Sequence, residues 1–458
     1  MRFCGSVSDR SHTPMTGFPA SDRILDWNRQ CIPGGMSSTN RLTDPNIAFV
    51  RGDGSRIWDA EGNEYIDYHG AFSPQFLGFQ HPEVTAAVKR VIDDGSDLWG
   101  AGPTEIEGRL AHLICEKIPW VERVVVLNSG SEATAQAIRL ARAATAKDHV
   151  IVMQGGYDGW HNDVAVNLST PLDQLGPRRS PGEYEIFPMS AGIPAAHQSL
   201  LHAINFNDLD SVRYVCERYP VAALITEPIL QNIGLVKPRP GYLQGLRDLA
   251  DEFGFLLIFD EIKTGFRHAF GGYAEVSSVL PDLAVYGKAI ASGYPLAAIA
   301  GPARWMEYFA HEDPSKRVLL AGTYNAHPVP TAAAVATLEV LSRDGGAVYQ
   351  RLEQLGARLE NSLTQGLASQ DIEGIVVRQG SAFVVFFMDH APVDWHDLAA
   401  NHDYALDTAF RRALIDDGIF FYPLATKQCS LTAAHTDADI DRTAEVVDRA
   451  LATVLATR

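Results

Sequence analysis

Apolar strands alternate with amphipathic helices along the middle of this chain. Near-continuous runs of Val, Ile and Leu, such as VAALIT (221–226) and FLLIFD (255–260), flank helical patterns such as YLQGLRDLADEFG (242–254). Strands that are apolar on both faces occur mainly in parallel sheets that are covered by helices. The pattern therefore predicts an α/β domain with a large, mostly parallel sheet. Its other predicted elements are a helix at 105–118, the strand RVVVLN at 123–128, a helix at 132–145, and the strands HVIVM at 149–153 and DLAVYG at 282–287.

The character of the sequence changes after about Pro328. A long Ala-rich helix is followed by two short strands, GIVVRQ (374–379) and FVVFFM (383–388), and then by helices near 406–417 and 439–455. This order predicts a second, smaller α+β domain. Near the other end of the chain, RIWDAEGNEYIDYH predicts two short strands around a turn, which we expect to join the small domain.

These patterns predict four regions and one functional loop. The stretch 171–193 is rich in Pro, Gly and Ser, and a loop of this length in a compact domain often covers a site. The predicted regions are a flexible leader (1–20), an N-terminal segment that packs on the small domain (21–75), a large α/β domain (76–328) and a small C-terminal α+β domain (329–458).

Charge and cysteine usage exclude several classes of partner. The net charge is −18, with acidic residues spread along the chain, which disfavours nucleic acid and anionic membranes. We find no apolar run near the roughly 18 residues of a membrane span and no secretion signal. The five cysteines form no CxxC pair, which predicts reduced thiols, a cytoplasmic location, and neither a disulfide framework nor a zinc site. They are Cys4, Cys31, Cys115, Cys216 and Cys429.

Polar residues follow each core strand at its carboxyl end, where open α/β sheets bind ligands. Ser129, Gly130 and Ser131 open a helix directly after RVVVLN. Free N–H groups and the helix dipole at such a position favour an anion, typically a phosphate. A plain helix cap completed by Glu132 is the alternative interpretation.

Two strand ends carry charged residues that need a partner. Asp260 ends the apolar run FLLIFD, and Lys288 follows DLAVYG among small residues. A carboxylate or an ammonium at the end of a core strand must be paired. Neither GxGxxG nor GxxxxGK[ST] is present, which disfavours nicotinamide and nucleotide triphosphate sites. The helix terminus at 129–131, Asp260 and Lys288 would match a cofactor with a phosphate, a basic ring nitrogen and an aldehyde, respectively. This combination predicts pyridoxal phosphate. A surface lysine on a strand-to-helix turn is the alternative for Lys288 alone.

The chain also resembles the class III, fold-type I pyridoxal-phosphate aminotransferases, and is most similar to the branch of glutamate-1-semialdehyde aminomutase. The resemblance runs from CIPGGMSSTNR to TAAHTDADID, close to the whole chain. The strings that carry it are DYHGAFSP, GAGPTEIEGRLAHLICEKIP, LNSGSEATAQAIRLARA, GGYDGWHND, EPILQNIG, FDEIKTGFR, PDLAVYGKAIASGYPLAAIAG and AGTYNAHPV. It implies a fold-type I architecture, pyridoxal 5′-phosphate as cofactor and catalysis on small amino and oxo compounds.

The resemblance assigns roles to particular residues. It implies that Lys288 forms the Schiff base and shuttles the proton, that Asp260 pairs with the ring nitrogen, and that Tyr157 and Ile262 cover the two faces of the ring. It also implies that Thr323 reaches the phosphate of the neighbouring subunit's cofactor, and hence a homodimer with shared sites. The other implied cofactor positions are Ser129, Gly130 and Ser131 at the phosphate, and Glu227 and Asn232 near the ring.

Departures from the family pattern concern the substrate. The usual Tyr-His-Gly is here Tyr-Asp-Gly, with Asp158 in the middle. The aminomutase branch has a C-terminal glutamate where this chain has Lys427, and its Gly-Ser-Gly gating loop is not evident here. Arg41 matches the arginine that binds the substrate carboxylate, as a planar bidentate clamp suits that task. We therefore expect Arg41, Phe72 and Lys427 to contact the substrate.

Two outcomes of the same chemistry are open at this point. The leading hypothesis is a ping-pong aminotransferase that moves an amino group between an amino acid or amine and a keto acid or aldehyde. The alternative is an isomerase, either an aminomutase or an amino-acid epimerase. A non-catalytic, cofactor-binding role would predict a damaged site, whereas Lys288, Asp260 and the phosphate-binding turn are all present.

Overall fold

A computed structural model describes residues 17–456 and contains strands in three sheets. The strands are β1 (Phe49–Asp53), β2 (Arg56–Asp59), β3 (Glu64–Asp67), β4 (Arg123–Leu127), β5 (His149–Met153), β6 (Leu201–Ile204), β7 (Val221–Thr226), β8 (Leu256–Glu261), β9 (Leu283–Tyr286), β10 (Ala297–Gly301), β11 (Ile375–Gln379), β12 (Ala382–Phe386), β13 (Ile419–Phe420) and β14 (Cys429–Ser430).

The α-helices lie before, between and after these strands. They are α1 (Pro19–Arg29), α2 (Pro82–Asp93), α3 (Glu105–Lys117), α4 (Gly130–Thr145), α5 (Leu172–Leu175), α6 (Ala195–Gln198), α7 (Leu209–Cys216), α8 (Tyr242–Phe253), α9 (Gly272–Ser277), α10 (Ala303–Met306), α11 (Pro328–Leu341), α12 (Ala347–Ser369), α13 (Trp395–Asn401), α14 (Tyr404–Asp416) and α15 (Asp437–Ala456).

The largest sheet confirms the predicted α/β class. Its seven strands run in the order β4-β10-β9-β8-β7-β5-β6. The strand β10 is antiparallel to both β4 and β9, and the other neighbouring pairs are parallel. Every residue of β7 and β8 is buried, because helices cover both faces of the sheet.

The Ala-rich helix predicted after Pro328 is present as α11 and is apolar on all sides. It packs against α2 and α3, and most of its residues are buried. A helix that is hydrophobic all round requires such burial. A further long helix, α12, follows it and was not predicted from the sequence. It packs against α15.

Two smaller sheets are built from the ends of the described chain. The four-stranded sheet has the order β1-β2-β3-β13, in which β13 pairs parallel with β3, so that Ile419 lies opposite Ile66. The three-stranded sheet has the order β11-β12-β14. The exact domain boundaries stay a prediction. Residues 1–16 of the predicted leader lie outside the described residues, and α1 begins at Pro19, inside the proposed leader.

The stretch 171–193 is largely irregular, but it is anchored to the large domain. Isolated bridges join Val166 to Pro188 and Tyr184 to Ala203. The hydroxyl of Tyr184 also donates to Asn205 Oδ1 at 3.0 Å. Separately, none of the helices within residues 17–456 has both the length and the apolar character needed to cross a bilayer.

Candidate active site

Two connected cavities open at the carboxyl ends of the central strands. The smaller has a volume of about 270 Å³ and the wider about 710 Å³. Both are lined by Tyr157, Asn232, Lys263 and Lys288, so these four residues mark the junction. Every residue predicted to bind the cofactor, apart from Thr323, lines the smaller cavity.

Lys288 lies two residues beyond the end of β9 and begins a short 3₁₀ turn. Its φ of +46° is in the left-handed region, an unfavourable conformation for a non-glycine residue. The side chain is partly buried, and it lines both cavities. Burial lowers the pKa of Lys288, although the negative charges of Asp260 and Glu227 oppose this effect. A lowered pKa increases the fraction of the amine that is unprotonated, and therefore nucleophilic, at neutral pH.

Asp260 lies near the end of β8 with only 2% of its surface exposed. One carboxylate oxygen, Oδ1, accepts the N–H of Ile262 at 2.9 Å. Burial, with a further contribution from Glu227, raises the pKa of Asp260 to about 7, while Lys288 opposes the increase. A cation close to this carboxylate would lower its pKa again, which is the relationship expected with a protonated ring nitrogen.

Asp158 adds a second buried carboxyl group beside Asp260. It is 2% exposed, and within residues 17–456 its Oδ1 has no hydrogen-bond partner. Burial raises the pKa of Asp158 well above its usual value, and the charges of Asp260 and Glu227 raise it further. A hydrogen bond from Asp158 in turn lowers the pKa of Asp260. The sequence marked this position as a departure from the family but did not reveal its proximity to Asp260.

Ser129 caps the N-terminus of α4. Its hydroxyl accepts the N–H of Glu132 at 3.4 Å, and the Glu132 carboxylate accepts the N–H of Ser129 at 3.0 Å. This is a capping box, so the alternative interpretation is correct for the Ser129 side chain. The N–H groups of Gly130 and Ser131 are at the first two helical positions, where no intrahelical acceptor exists, and they can bind an anion.

Gly130 permits close contact between the helix terminus and Ile262. A Cβ at position 130 would lie 2.3 Å from Ile262 Cδ1, which is too short for a contact between two non-bonded carbon atoms. Gly159 likewise lies against the Ser131 hydroxyl, which accepts the N–H of Trp160 at 3.2 Å. These contacts bring the anion-binding terminus of α4 and the Asp260 end of β8 to the same cavity.

Glu227 follows β7 and holds two backbone segments. Its Oε1 accepts the N–H of Tyr157 at 3.1 Å, and its Oε2 accepts the N–H of Gln231 at 3.0 Å. Glu227 thus fixes the backbone of Tyr157, whose ring lines both cavities. Burial raises the pKa of Tyr157, and the charges of Asp260 and Asp158 add to this, so its hydroxyl stays protonated at neutral pH.

The wider cavity contains two of the three predicted substrate residues. Phe72 and Lys427 line it, and Lys427 Nζ donates to the carbonyl oxygen of Asn232 at 3.2 Å. Arg41 does not line it: its side chain is exposed, although its neighbours Asn40 and Leu42 do line the cavity. Arg41 is thus the one residue between Ser38 and Asp44 that does not line the cavity.

Thr323 is exposed and lines neither cavity. Its predicted contact is with a neighbouring subunit, so its position in one subunit does not test that role. Asn325, two residues further along, accepts a hydrogen bond from Asn128 Nδ2 at 3.0 Å, which ties this loop to the end of β4.

Lys263 is the residue that the sequence interpretation missed. It is 7% exposed, lines both cavities and donates through Nζ to the carbonyl oxygen of Gln231 at 2.8 Å. Burial lowers its pKa well below the usual value, and the positive charge of Lys288 contributes. A signal was present in FDEIKTGFR, where a lysine closely follows two acidic residues at the end of a core strand.

The smaller cavity has the groups that pyridoxal phosphate requires. The N–H groups of Gly130 and Ser131 suit its phosphate, the buried carboxylate of Asp260 suits its ring nitrogen, and Lys288 supplies the amine for its aldehyde. The tight contact at Gly130 and the unpartnered oxygen of Asp158 are both observations of this structure that fit a bound polar ring system.

Comparison with known proteins identifies the family. The model of the aminotransferase class-III family matches residues 38–451. A glutamate-1-semialdehyde 2,1-aminomutase from Syntrophomonas wolfei is 38% identical over 429 residues, covering 92% of this chain and 95% of the relative.

Solved structures agree with this assignment. An omega-transaminase from Sphaerobacter thermophilus superposes with a TM-score of 0.86 at 29% identity, covering 95% of this chain and 98% of the other. A transaminase with pyridoxal phosphate bound gives a TM-score of 0.84 at 26% identity, with the same coverage of 95% and 98%. The chain therefore belongs to the class-III aminotransferase family, has the fold-type I α/β architecture of that family, and has pyridoxal phosphate as its cofactor.

Proposed function

We propose that this enzyme moves an amino group on a small amino or oxo compound, with Lys288 as the residue that carries the cofactor and transfers the proton. The observation that carries the proposal is the meeting of Lys288, Asp260 and the N-terminus of α4 at one cavity. Pyridoxal phosphate, when bound, supplies an electron-withdrawing ring that stabilises negative charge on the substrate carbon.

The residues of the chain provide the remaining functions. Asp260 holds a proton on the ring nitrogen, because a buried carboxylate is stabilised by a cation beside it. Gly130 and Ser131 orient the cofactor through its phosphate, and Tyr157, fixed by Glu227, limits the movement of the ring. Ile262 and Asn232 line the same cavity, where Ile262 excludes water from one side.

The isomerase outcome is supported better than the transferase outcome that the sequence placed first. The curated relative described above is named an aminomutase, at 38% identity over 92% of this chain. An aminomutase moves the amino group within one substrate and needs no second substrate. We therefore place an aminomutase-type isomerase first.

A transaminase is the second candidate, and Lys427 is the observation that favours it. The resemblance to the aminomutase branch implies a glutamate at this position, whereas Lys427 places a positive charge in the wider cavity. The Sphaerobacter structure shows that a transaminase can have a closely similar fold.

Product analysis separates the two candidates. The holoenzyme is incubated with single amino or amino-aldehyde compounds, and then with the same compounds together with a keto acid, and all products are identified by mass spectrometry. An isomerase converts a single compound into an isomer and leaves no keto acid. A transaminase gives lasting turnover only with the acceptor present and forms equal amounts of the keto and amino products. If neither occurs across α-, β- and ω-amino compounds, the proposed function is wrong.

We also propose a homodimer in which Thr323 contacts the cofactor of the neighbouring subunit. Support comes from the exposed segment around Thr323 and from large exposed apolar side chains, namely Trp160 at the smaller cavity and Leu319 and Tyr324 close to Thr323 in the sequence. Light scattering should give twice the subunit mass of 50.0 kDa. Thr323→Ala should weaken cofactor retention without changing the mass. A cytoplasmic location stays a prediction from the cysteine pattern.

A further inference from the structure

We propose that Lys263 and Lys427 together form a carboxylate-binding subsite of the wider cavity, and that the substrate is an amino acid or oxo acid whose carboxylate lies between their two ammonium groups. The inference rests on the proposed function, since it specifies the substrate class of the same site. It assigns carboxylate recognition to this pair and not to Arg41.

The two lysines converge on one short segment of backbone. Lys263 Nζ donates to the carbonyl oxygen of Gln231 at 2.8 Å, and Lys427 Nζ donates to the carbonyl oxygen of the next residue, Asn232, at 3.2 Å. Lys263 arrives from the loop after β8 and Lys427 from the segment before β14. Each ammonium has three N–H groups, so each keeps donors for a ligand after this hydrogen bond.

The charges of the two lysines are offset by Glu227 at a distance but not by a direct ion pair within the described residues. Neither Lys263 nor Lys427 forms an ion pair with a carboxylate in the described part of the chain. Of the arginines nearby, Arg411 pairs with Asp407 at 2.6 Å, and Arg412, which lines the wider cavity, pairs with Asp44. Arg267 donates to the carbonyl oxygen of Lys263 at 3.1 Å and has no carboxylate partner among the described residues. Glu227 lies close enough to influence both lysines, but its two oxygens already accept N–H groups from Tyr157 and Gln231.

Burial of unpaired ammonium groups is unfavourable unless an anion joins them. Burial lowers the pKa of Lys263 and of Lys427, because the charged ammonium is less stable away from water. A bound carboxylate offers two oxygens, one for each ammonium, and favours the charged form of both lysines. The ligand that relieves this environment is therefore an anion.

The position of the pair relative to Lys288 defines which part of the substrate it binds. Lys263 lines both cavities, beside Lys288, whereas Lys427 lines the wider cavity only. The phosphate of the cofactor is assigned to Gly130 and Ser131, which line the smaller cavity only, whereas Lys427 lines the wider cavity, so the phosphate does not lie between the two lysines. A carboxylate between the lysines then lies on the substrate side of the junction, close to the carbon that carries the amino group.

Binding of a non-reacting dicarboxylate tests the subsite directly. Glutarate is titrated into the cofactor-loaded enzyme by calorimetry, and the wild type is compared with Lys263→Met, Lys427→Met and the double variant. We expect each single variant to bind glutarate at least 10-fold more weakly. Because both lysines bind the same carboxylate, we expect the double variant to lose less than the product of the two single effects. Lys237→Met, which changes an exposed lysine of the loop after Asn232 that does not line the cavity, should bind as the wild type does.

Several outcomes overturn the inference. It fails if the wild type does not bind glutarate, if both lysine variants bind it as tightly as the wild type, or if Arg41→Ala causes the loss instead. Thermal unfolding and cofactor content exclude misfolding, and Lys263→Arg, which keeps the charge, should restore part of the affinity. The proposed function is assessed separately by the product analysis. If the wild type binds glutarate, the lysine variants bind it more weakly and no amino-group turnover is found, the result supports the subsite and contradicts the proposed function.

Discussion

Ile262 lies directly against Gly130, so that a methyl group on Gly130 would come within 2.3 Å of Ile262 Cδ1. Ile262 also donates its N–H to Asp260 Oδ1 at 2.9 Å. One residue therefore links the terminus of α4, which suits a phosphate, to the carboxylate that suits a ring nitrogen. The separation between these two groups is fixed by packing, before any cofactor arrives.

Gly130→Ala tests this contact. The added methyl group must displace either Ile262 or the first turn of α4, and both movements disturb the anion-binding N–H groups. We expect cofactor affinity to fall at least about 10-fold, equivalent to about 1.4 kcal/mol, measured by titrating the apoprotein with pyridoxal phosphate. Gly108→Ala is the control, since a Cβ at this position in α3 meets no atom within 4 Å. Equal affinities for the wild type and Gly130→Ala would contradict the tight fit.

The junction holds two lysines, and only Lys288 is expected to form the covalent bond with the cofactor. Borohydride reduction of the loaded enzyme should fix the cofactor on the peptide that contains Lys288 and leave the one with Lys263 unmodified. Lys288→Ala should abolish turnover and covalent fixation of the cofactor while the protein stays folded. In Lys263→Met the cofactor should still be fixed at Lys288. Peptide mass spectrometry gives the site. Modification at Lys263 in the wild type would exchange the two assignments.

Asp260 should make the stability of the apoprotein depend on pH. Its pKa is raised from 3.8 to about 7, because burial disfavours the carboxylate. The folded state then binds an extra proton between about pH 4 and pH 7, so its contribution to stability is present below pH 4 and is lost as the pH rises through 7. Asp260→Asn removes this loss.

The measurement compares melting temperatures of apoproteins at pH 5 and pH 8. We expect Asp260→Asn to gain at least about 2 °C relative to the wild type at pH 8 and less at pH 5. The cofactor supplies a cation to the carboxylate, so the advantage of the variant should shrink or reverse in the loaded enzyme. Turnover should fall roughly a thousandfold. An identical pH profile for both apoproteins would show that Asp260 is ionised without cost.

The sequence predicted the central sheet well wherever strands were long and strongly apolar. The strands β5 and β7 were predicted to the residue, since their Val, Ile and Leu runs are bounded by polar or turn residues. The strand β10, with the sequence AAIAG, was not predicted as a separate element. Alanine and glycine carry little strand preference, and only the position of β10 between β4 and β9 makes it a strand.

The candidate site could be predicted in part, because strand ends converge in an open α/β sheet. Lys288 and Asp260 were found from this rule and line the same cavity. Arg41 was assigned to the substrate by resemblance, but its side chain is exposed, because side-chain direction depends on the local turn and not on the motif. Lys263 was missed, since its position in the cavity depends on a contact with Gln231, which lies 32 residues earlier in the chain.

Asp158 should tune Asp260 through a hydrogen bond, and two variants can separate this effect from simple packing. Asp158 keeps its proton because burial raises its pKa, and its hydrogen bond lowers the pKa of Asp260. Without that donor, Asp260 competes more strongly for the proton of the ring nitrogen, and the electron-withdrawing capacity of the ring falls. Asp158→Ala should therefore reduce kcat by about 10-fold or more, in line with about 1.5–3 kcal/mol for a hydrogen bond to a charged group.

Asp158→Asn keeps an N–H donor and should stay within about 3-fold of the wild type on the same scale. A pH titration of the visible absorbance of the loaded enzyme should shift in Asp158→Ala and much less in Asp158→Asn. If both variants lose activity equally with unchanged titrations, Asp158 contributes through packing alone.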